Sequence, residues 1–441
     1  MKPRPGKSRF RLPLGLTAAG FSLWGIGGRM GRPFLSYTRL EEALRLILSG
    51  LSPLGWEEVP LEEACGRILF SDLLSPTDFP PFDRSAVDGY AVRAWDTFGA
   101  GENSPKRLRL VRGRVGPGRA VEVMTGHPLP PGADAVVMLE QTRRRGESLE
   151  VLAPVTPGKN VSARGEDVRK GERVLEGGRR LGPAEVGMLA CLGLRRVRVF
   201  RRPRVALLST GSELLSPGER LRPGKIPDIN LHSLTCAVRC CGALPVPLGR
   251  CPDEEEKLER RLEEGIGNVD VMVISGGSSV GKRDLVPRVV GKRGELLFHG
   301  VNLRPGGPTA FGRVEGKPVF CLPGFPAACL LSFTFLVRPA LRLLQGLPPD
   351  RGLRKVKARL ARKVASSLGR VDVVRVRLAE RVGRLWAEPL RVTGSGILSS
   401  LTGSDGFFTV PEDTEVVEEG EEVEVELWDI SSGAAGGARS A

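Results

Sequence analysis

The regular alternation of strand and helix patterns after Arg204 constrains the fold of this chain more than any other feature of its sequence. Apolar runs typical of buried strands lie at residues 205–208, 244–248 and 269–274, and helical patterns lie between them at 231–240 and 253–264. Strands that alternate with helices in this way pair in parallel and are covered on both faces. The sequence therefore predicts an α/β domain with a mostly parallel sheet, whose binding site lies at the carboxyl ends of the strands.

Helix starts are predicted at two places where an acceptor side chain is followed three residues later by Glu, the spacing of a capping box. One pair is Thr38 with Glu41, and the other is Asp253 with Glu256. Apolar stripes at helical spacing follow both pairs: Leu40, Leu44, Ile47 and Leu48 in the first, and Leu258, Leu262 and Ile266 in the second. Further helices are predicted at residues 61–68 and from Pro183 through Leu192.

The flanking segments have the pattern of β domains. Residues 82–152 and 353–427 alternate Val and Leu with polar residues between Gly and Pro turns, which predicts a small β-rich domain and a C-terminal β-barrel or sandwich. At 441 residues the chain is long enough for about three domains or more. The predicted limits are 1–33 for a disordered or mis-assigned extension, 34–75 with 157–200 for a discontinuous N-terminal domain, 76–156 for the β-rich domain, 201–349 for the α/β domain, 350–429 for the barrel and 430–441 for a disordered tail.

Three loops end predicted strands: 209–213 and 275–284 are rich in Gly, Ser and acidic residues, and 322–326 has one Gly between two Pro residues. Glycines there let backbone N–H groups approach phosphate oxygens. Each loop alone is equally consistent with turn glycines and a helix-capping aspartate, but three loops at one edge favour a shared anion site. We predict substrate contacts from Ser209, Gly211, Gly276, Gly277 and Ser278, and a magnesium ion held by Glu213, Asp228 and Asp284.

The second loop also matches most of a phosphate-loop motif, with Gly276, Gly281 and Lys282 at the required spacing. The next position of that motif needs Ser or Thr to hold magnesium, and here it is Arg283. The sequence therefore argues against a phosphate-loop NTPase.

The charge of the chain favours an anionic small substrate over nucleic acid. The formal net charge is +15, from 66 Lys and Arg against 51 Asp and Glu, but the basic residues are spread through every segment and no aromatic ladder accompanies them. Eight cysteines without a Cys-x-x-Cys pair, and three isolated histidines, argue against zinc and favour buried, reduced thiols.

The N-terminal 33 residues resemble a secretory signal, since basic residues precede the apolar stretch 12–28. We favour a disordered or mis-assigned extension, because Met30 offers an alternative start just before the first predicted helix. No other apolar run approaches the roughly 20 residues that span a bilayer, so we expect a cytoplasmic protein.

Eight short strings occur in the order typical of the MoeA family, and the chain resembles that family from about residue 35 to 428. The strings are DRSAVDGYA from Asp83, MTG from Met124, RGED from Arg164, STGSEL from Ser209, PDIN from Pro227, SGGSSVG from Ser275, RPGGP from Arg304 and LPGFP from Leu322. The resemblance implies a homodimer of four-domain subunits with a central MogA/MoaB-like domain. It also implies a molybdopterin molybdenumtransferase, which uses magnesium to insert molybdate into adenylyl-molybdopterin and releases AMP.

The resemblance also implies roles for individual residues. It places Asp88, Asp228, Asp284 and Glu213 in catalysis, and Asp88 would complete the site of the partner subunit. The implied substrate-binding positions are Thr125, Asp167, Arg304, Pro323, Pro326, Arg375 and Ser395. Arg304 has the planar donor set that pairs with an oxyanion through two hydrogen bonds.

Three positions depart from the family pattern. Gly307 and Gly300 stand where many or some members have lysine, and Phe325 stands where Asn is common. We expect Arg304, Lys282 and Arg283 to supply the positive charge instead.

Two other functions remain open from the sequence. The α/β domain alone also resembles the adenylyltransferases that make adenylyl-molybdopterin, and gephyrin-like chains use the same module as a scaffold. The flanking domains argue against the first, and the lack of a long linker or second module argues against the second. An adenylyltransferase and the molybdoenzymes that receive the product are the expected protein partners, whereas molybdate and tungstate differ too little in size and charge to be distinguished.

Overall fold

The computed structural model of this chain describes residues 37–277, 284–390 and 396–428. The predicted N-terminal extension and the predicted C-terminal tail lie outside the described residues. The described part forms one unit that begins at Tyr37.

The first described segment contains helix α1 (Leu40–Leu48) and strands β1 (Trp56–Pro60) and β2 (Leu73–Leu74). Helix α1 is where the apolar spacing predicts it, but the predicted cap by Thr38 is wrong. The backbone of Thr38 pairs instead with the chain at Gly300 and Asn302, and Asn302 Oδ1 accepts the N–H of Leu40 at 2.6 Å.

The helix predicted at residues 61–68 is also wrong, since only a 3-10 turn forms at Leu61–Glu63. Gly66 adopts a φ of +80°, which ends the turn, and Ile68 then forms an antiparallel bridge with Arg180. Extended pairing therefore replaces the helix.

The next segment is rich in β structure, as predicted. Its sheet has the strand order β7-β4-β6-β5-β9-β8, and β3 pairs with β10 beside it. The strands are β3 (Arg84–Ser85), β4 (Gly89–Val92), β5 (Lys106–Leu110), β6 (Arg119–Val123), β7 (Ala135–Met138), β8 (Thr142–Arg145), β9 (Ser148–Val151) and β10 (Val161–Ser162).

The chain then returns to the first segment. Strand β11 (Arg173–Leu175) pairs with β2, and after helix α2 (Pro183–Cys191) strand β12 (Arg196–Phe200) pairs with β1 along its whole length. The Glu185 carboxylate accepts the N–H of Gly182 at 2.9 Å and caps α2, the predicted helix. The segments that precede and follow the β-rich part are thus paired with each other. The predicted domain limits stay predictions.

The α/β part has a six-stranded sheet of order β16-β13-β17-β21-β20-β18, in which neighbouring strands from β16 to β21 pair in parallel and β20 pairs antiparallel with both β21 and β18. This confirms the predicted mostly parallel sheet. The strands are β13 (Arg204–Thr210), β14 (Leu214–Leu215), β15 (Ile226–Pro227), β16 (Leu244–Cys251), β17 (Val271–Ser275), β18 (Glu295–His299), β19 (Leu303–Arg304), β20 (Ala310–Val314) and β21 (Lys317–Leu322), and the helices are α3 (Asn230–Cys240), α4 (Glu255–Ile266), α5 (Leu285–Arg293), α6 (Pro326–Ser332) and α7 (Arg338–Leu344).

Helices cover both faces of this sheet. Val205 and Leu207 pack on one side in the same cluster as Leu234 of α3, whereas Ala206 and Leu208 pack on the other side with the predicted stripe of α4. The predicted capping box of α4 is wrong, because the helix begins after Glu254 without a side-chain cap. The carboxylate of Asp253 accepts the N–H of Ser212 at 3.2 Å and so holds the first Gly-rich loop.

One helix in the described part of the chain, Pro326–Leu344, is long and apolar enough to cross a membrane. It consists of α6, a π-helical turn at Phe333–Val337 and α7, and 72% of its apolar window is buried inside the protein. It is therefore a core helix of the α/β part by its packing.

The C-terminal part is the predicted barrel. Strands follow in the order β24-β25-β22-β28-β26, and the pairing of β24 with β26 closes the ring around buried apolar residues such as Leu360, Val376 and Val425. The elements are β22 (Lys355–Leu360), β23 (Val364–Ala365), β24 (Val371–Arg381), β25 (Arg384–Pro389), α8 (Ser399–Thr402), β26 (Gly406–Val410), β27 (Val416–Val417) and β28 (Glu422–Leu427).

The prediction of buried cysteines is correct in part. Cys241, Cys251, Cys321 and Cys329 are buried, and burial raises the pKa of the Cys321 thiol to about 12. Exposed positions are occupied by Cys65, Cys236 and Cys240, which corrects the prediction for those three.

Candidate active site

The loops that follow β13 and β17 are joined by hydroxyl groups at the carboxyl edge of the sheet. Ser209 Oγ donates to Asp228 Oδ1 at 3.0 Å and lies 3.2 Å from Ser275 Oγ. All three side chains are buried. Because the strands are parallel neighbours, their last residues lie side by side, as the sequence pattern predicts.

The loop after β21 is tied to the same edge. The N–H of Gly276 donates to the carbonyl of Leu322 at 3.1 Å, and Asn230 Nδ2 donates to the carbonyl of Gly324 at 2.8 Å. The described residues of the three loops predicted to form one site are therefore brought together around Asp228 and Asn230.

Two glycines in these loops have positive φ angles and lie close to neighbouring atoms. Gly276 has a φ of +94°, and a Cβ built on it would lie 2.2 Å from the carbonyl oxygen of Thr210. Gly211 has a φ of +152°, and its Cβ would lie 2.7 Å from a carboxylate oxygen of Glu213. The backbone is therefore close-packed here, and the N–H groups of Gly211 and Gly276 donate to the carbonyls of Cys251 and Leu322.

Asp228 is the most unusual side chain of this cluster, because it is 3% exposed and only one of its oxygens is satisfied. Oδ1 accepts the hydroxyl of Ser209 and, at 3.1 Å, the N–H of Leu231 in the first turn of α3. Oδ2 has no hydrogen-bond partner, and neither has the nearby acceptor Asn230 Oδ1. A buried carboxylate oxygen without a partner is costly, which points to a cation or a donor from a ligand.

The predicted magnesium triad is not assembled. No group of three or more His, Cys, Asp and Glu side chains that could hold a metal occurs within residues 37–277, 284–390 and 396–428. Asp284, at the start of α5, points its Oδ2 to within 3.2 Å of Nε2 of His299, while the Glu213 carboxylate lies beside Gly211. Helix capping, the alternative left open by the sequence, applies to one oxygen of Asp228 and not to Asp284.

A second group of predicted residues lies in the β-rich part. Asp88 Oδ1 accepts both the N–H of Thr125 at 2.7 Å and its hydroxyl at 2.8 Å, and these bonds hold the pKa of Asp88 below its usual value. Both residues are exposed. Asp167 is exposed too, and its N–H donates to the carbonyl of Phe79 at 3.1 Å. Asp88 is therefore a fixed, ionised carboxylate at the surface.

Three predicted substrate residues line one cavity of about 750 Å³, which lies where the α/β part meets the barrel: Arg304, Pro323 and Arg375. Arg304 is not an isolated cation, because its guanidinium pairs with the buried carboxylate of Asp372 and donates to Ser367 Oγ at 3.0 Å. Burial lowers the pKa of Arg375, which is 7% exposed. Pro326, the first residue of α6, follows the loop at the cavity edge.

Some predicted residues lie outside the described part of the chain: Ser278, Lys282, Arg283 and Ser395. Sequence reasoning also missed residues that the structure places at these sites. Asn230 could have been found, since it ends the Pro-Asp-Ile-Asn string. Asp372 could not, because its importance depends on the pairing of β19 with β24.

Comparison with known proteins gives similarity along nearly the whole described chain. Family models match residues 38–193 (MoeA N-terminal region, domains I and II), 206–343 (described as a probable molybdopterin binding domain) and 357–428 (MoeA C-terminal region, domain IV). The chain is 37% identical to molybdopterin molybdenumtransferase 2 of Mycobacterium tuberculosis over 85% of this chain and 95% of that protein.

Two further comparisons agree with this similarity. The molybdopterin molybdenumtransferase of Bacillus subtilis is 33% identical over 88% of this chain and 93% of its own length. The crystal structure of the molybdopterin biosynthesis MoeA protein from Pyrococcus horikoshii OT3 superposes with a TM-score of 0.75 at 37% identity, over 89% of this chain and 100% of that one.

Proposed function

We propose that this chain, which belongs to the MoeA family, is a molybdopterin molybdenumtransferase that inserts molybdate into adenylyl-molybdopterin and releases AMP. The transferases of Mycobacterium tuberculosis and Bacillus subtilis match this chain over 95% and 93% of their own length. The reaction joins two anionic small molecules, in agreement with the positive net charge of the chain.

One observation supports this proposal above the others: the unsatisfied Oδ2 of Asp228 lies buried where the described residues of the three glycine-containing loops converge. Backbone N–H groups in such loops favour phosphate oxygens, and a buried anionic oxygen favours a cation. A metal ion held by this carboxylate would satisfy the buried oxygen and would supply positive charge for the phosphates of a nucleotide.

Magnesium fits this donor set. It prefers oxygen ligands and commonly uses one or two protein carboxylates, with the rest of its shell from water and substrate phosphates. Asp228 would hold it, with Glu213 as a second candidate on the adjacent loop. When bound, the ion supplies positive charge to the pyrophosphate and to the oxyanion. The remaining residues shape the site: Ser209 and Leu231 hold Asp228 in place, and Gly276 and Gly277 let the second loop pack closely against Thr210 and Val286.

The cavity beside the barrel supports a second part of the proposal, the binding of the oxyanion. Arg304 and Arg375 line it together with Pro323. The pairing of Arg304 with Asp372 fixes the guanidinium and leaves part of its donor set for a ligand, since that side chain is 43% exposed.

The exposed pair Asp88 and Thr125 supports a dimeric enzyme. Their hydrogen bonds hold an ionised carboxylate at the protein surface, where a second copy of the chain could use it. We propose a cytoplasmic homodimer in which Asp88 completes the partner's site, with an adenylyltransferase upstream and molybdoenzymes downstream as protein partners.

Product analysis tests the function. Purified protein receives adenylyl-molybdopterin, magnesium and varying molybdate, and AMP is followed by chromatography, with ATP supplied in a parallel reaction. We expect AMP to appear only with molybdate, and ATP to remain intact. AMP release that is indifferent to molybdate would falsify the proposal, and consumption of ATP would instead identify an adenylyltransferase.

A further inference from the structure

The basic residues that line the cavity differ in whether an acidic side chain already pairs with them. Arg304 pairs with Asp372, and Lys363 Nζ pairs with Glu418 at 2.8 Å. Arg370 differs from both: across the described part of the chain it has no acidic partner and donates no hydrogen bond. Its guanidinium lies instead over the ring of Tyr37, 4.8 Å from the ring centre. A partly buried cation held only by an aromatic face keeps its donors for a ligand.

Both members of this pair are fixed by the backbone. Strand β24 starts beside Arg370 and pairs in parallel with β19, and the N–H of Val371 donates to the carbonyl of Asn302 at 2.7 Å. On the other side, Thr38 donates its N–H to Gly300 at 3.0 Å, which holds Tyr37 against the same loop. The position of Arg370 is therefore set by the contact between barrel and α/β part.

Two glycines, Gly300 and Gly307, lie next to the ring of Tyr37. A Cβ built on Gly307 would lie 3.3 Å from Cε1 of Tyr37, and one built on Gly300 would lie 3.2 Å from its Cδ1. Side chains at positions 300 and 307 would therefore contact the Tyr37 ring, over which the Arg370 guanidinium lies. The chain thus has glycine at the two positions where many or some members of the family it resembles have lysine, and the Tyr37–Arg370 pair lies next to both.

We infer that Arg370, positioned by Tyr37, binds a tetrahedral oxyanion in this cavity and supplies the positive charge that Gly307 lacks. Molybdate and the phosphate groups of the pterin substrate share this chemistry. The inference rests on the proposed function and changes one expectation from the sequence, which assigned the compensating charge to Arg304, Lys282 and Arg283. It makes Arg370 a residue for binding the anion, with Tyr37 as its positioning residue.

The test compares KM for molybdate and KM for adenylyl-molybdopterin in wild type and Arg370→Gln, using AMP release. Loss of one charge-assisted contact should raise the KM of the anion concerned about tenfold and leave kcat within about twofold. A rise confined to molybdate assigns the site to the oxyanion, and a rise confined to the pterin substrate assigns it to a phosphate. Arg381→Gln is the matched control, because Arg381 also lies over an aromatic ring, Trp386, but outside this cavity. Its KM values should match wild type.

A rescue experiment provides a second test of the role of Arg370. Adding Gly307→Lys to Arg370→Gln returns a cation to the same place and should recover most of the lost affinity. Tyr37→Leu should raise the same KM more than Tyr37→Phe, which keeps the ring, so these two variants decide the question if Arg370→Gln melts too low to assay. Wild-type KM values in a folded Arg370→Gln protein, or equal effects of Tyr37→Leu and Tyr37→Phe, would overturn the role of Arg370. If the wild type itself releases no AMP with molybdate, the proposed function fails instead.

Discussion

Replacement of Asp228 by Asn separates a functional carboxylate from a structural one. The change preserves shape and keeps an acceptor for the Ser209 hydroxyl and the Leu231 N–H, while it removes the negative charge. In the wild type that charge is buried with Oδ2 unsatisfied. A buried unsatisfied polar atom costs about 1–3 kcal/mol, and more if it is charged. Without magnesium, Asp228→Asn should therefore be as stable as wild type or more stable by up to about 2 kcal/mol.

Magnesium should reverse that order. An ion that binds only the folded protein stabilises it by about 1.4 kcal/mol at ten times its dissociation constant. The wild type should gain this amount, whereas Asp228→Asn should gain little and should also lose AMP release. The assay is thermal and urea unfolding of both proteins, with and without magnesium.

Asp372→Asn is the matched control, because Asp372 is also buried with one unsatisfied oxygen but pairs with Arg304. Removal of its charge leaves the guanidinium without its counter-ion, and we expect a loss of about 1–2 kcal/mol whether or not magnesium is present. The reasoning is refuted if Asp228→Asn behaves like Asp372→Asn, with lower stability in the absence of magnesium and the same response to the ion as wild type.

Three further predictions follow from the same contacts. Gly276→Ala should lose about 2 kcal/mol or more in urea unfolding, because its φ is +94° and the new Cβ would meet the Thr210 carbonyl; unchanged stability would show that the loop can move. Thr125→Val removes one of two hydrogen bonds that lower the pKa of Asp88, so that pKa should rise toward its usual value. A lowered carboxyl pKa stabilises the fold above the unfolded-state pKa, so the variant should lose this stability at a higher pH on acidification. NMR titration of the Asp88 carboxyl would measure the rise in its pKa. Mixed Asp88→Ala and Asp228→Ala chains should regain about a quarter of wild-type activity through heterodimers, and no recovery despite heterodimers in mass spectrometry would place Asp88 outside the partner's site.

The fold could be predicted from sequence where local pattern and tertiary packing agree. The strands of the α/β part are continuous apolar runs because helices cover both faces, and the stripe of α4 is apolar because it packs against Ala206 and Leu208. The barrel strands likewise alternate because one face is inside the ring.

Local signals failed where a distant segment competes for the same groups. The sequence at Thr38 has capping-box spacing, but its backbone pairs with residues more than 260 positions away, and Asn302 provides the acceptor. Similarly, Ile68 pairs with Arg180 and is not helical. Such pairings have no signal in the local sequence.

The candidate site was predictable to the level of its loops and not to the level of its side chains. Strand ends and glycines indicated where the loops meet, since parallel strands end at one edge. Which carboxylates converge depends on side-chain direction: Asp228 lies buried among the loops, whereas Asp284 approaches His299. The Tyr37–Arg370 pair depends on the docking of the barrel and had no sequence signal.

The most direct test of the proposed function is the stoichiometry of AMP and molybdenum in a single turnover. Wild-type protein would be mixed with limiting adenylyl-molybdopterin, magnesium and excess molybdate. AMP would be measured by chromatography, and the molybdenum retained on the pterin would be measured by elemental analysis after removal of free molybdate. We predict one molybdenum per AMP for the wild type and neither product for Asp228→Asn. AMP without bound molybdenum, or equal yields from the variant, would contradict the proposed function.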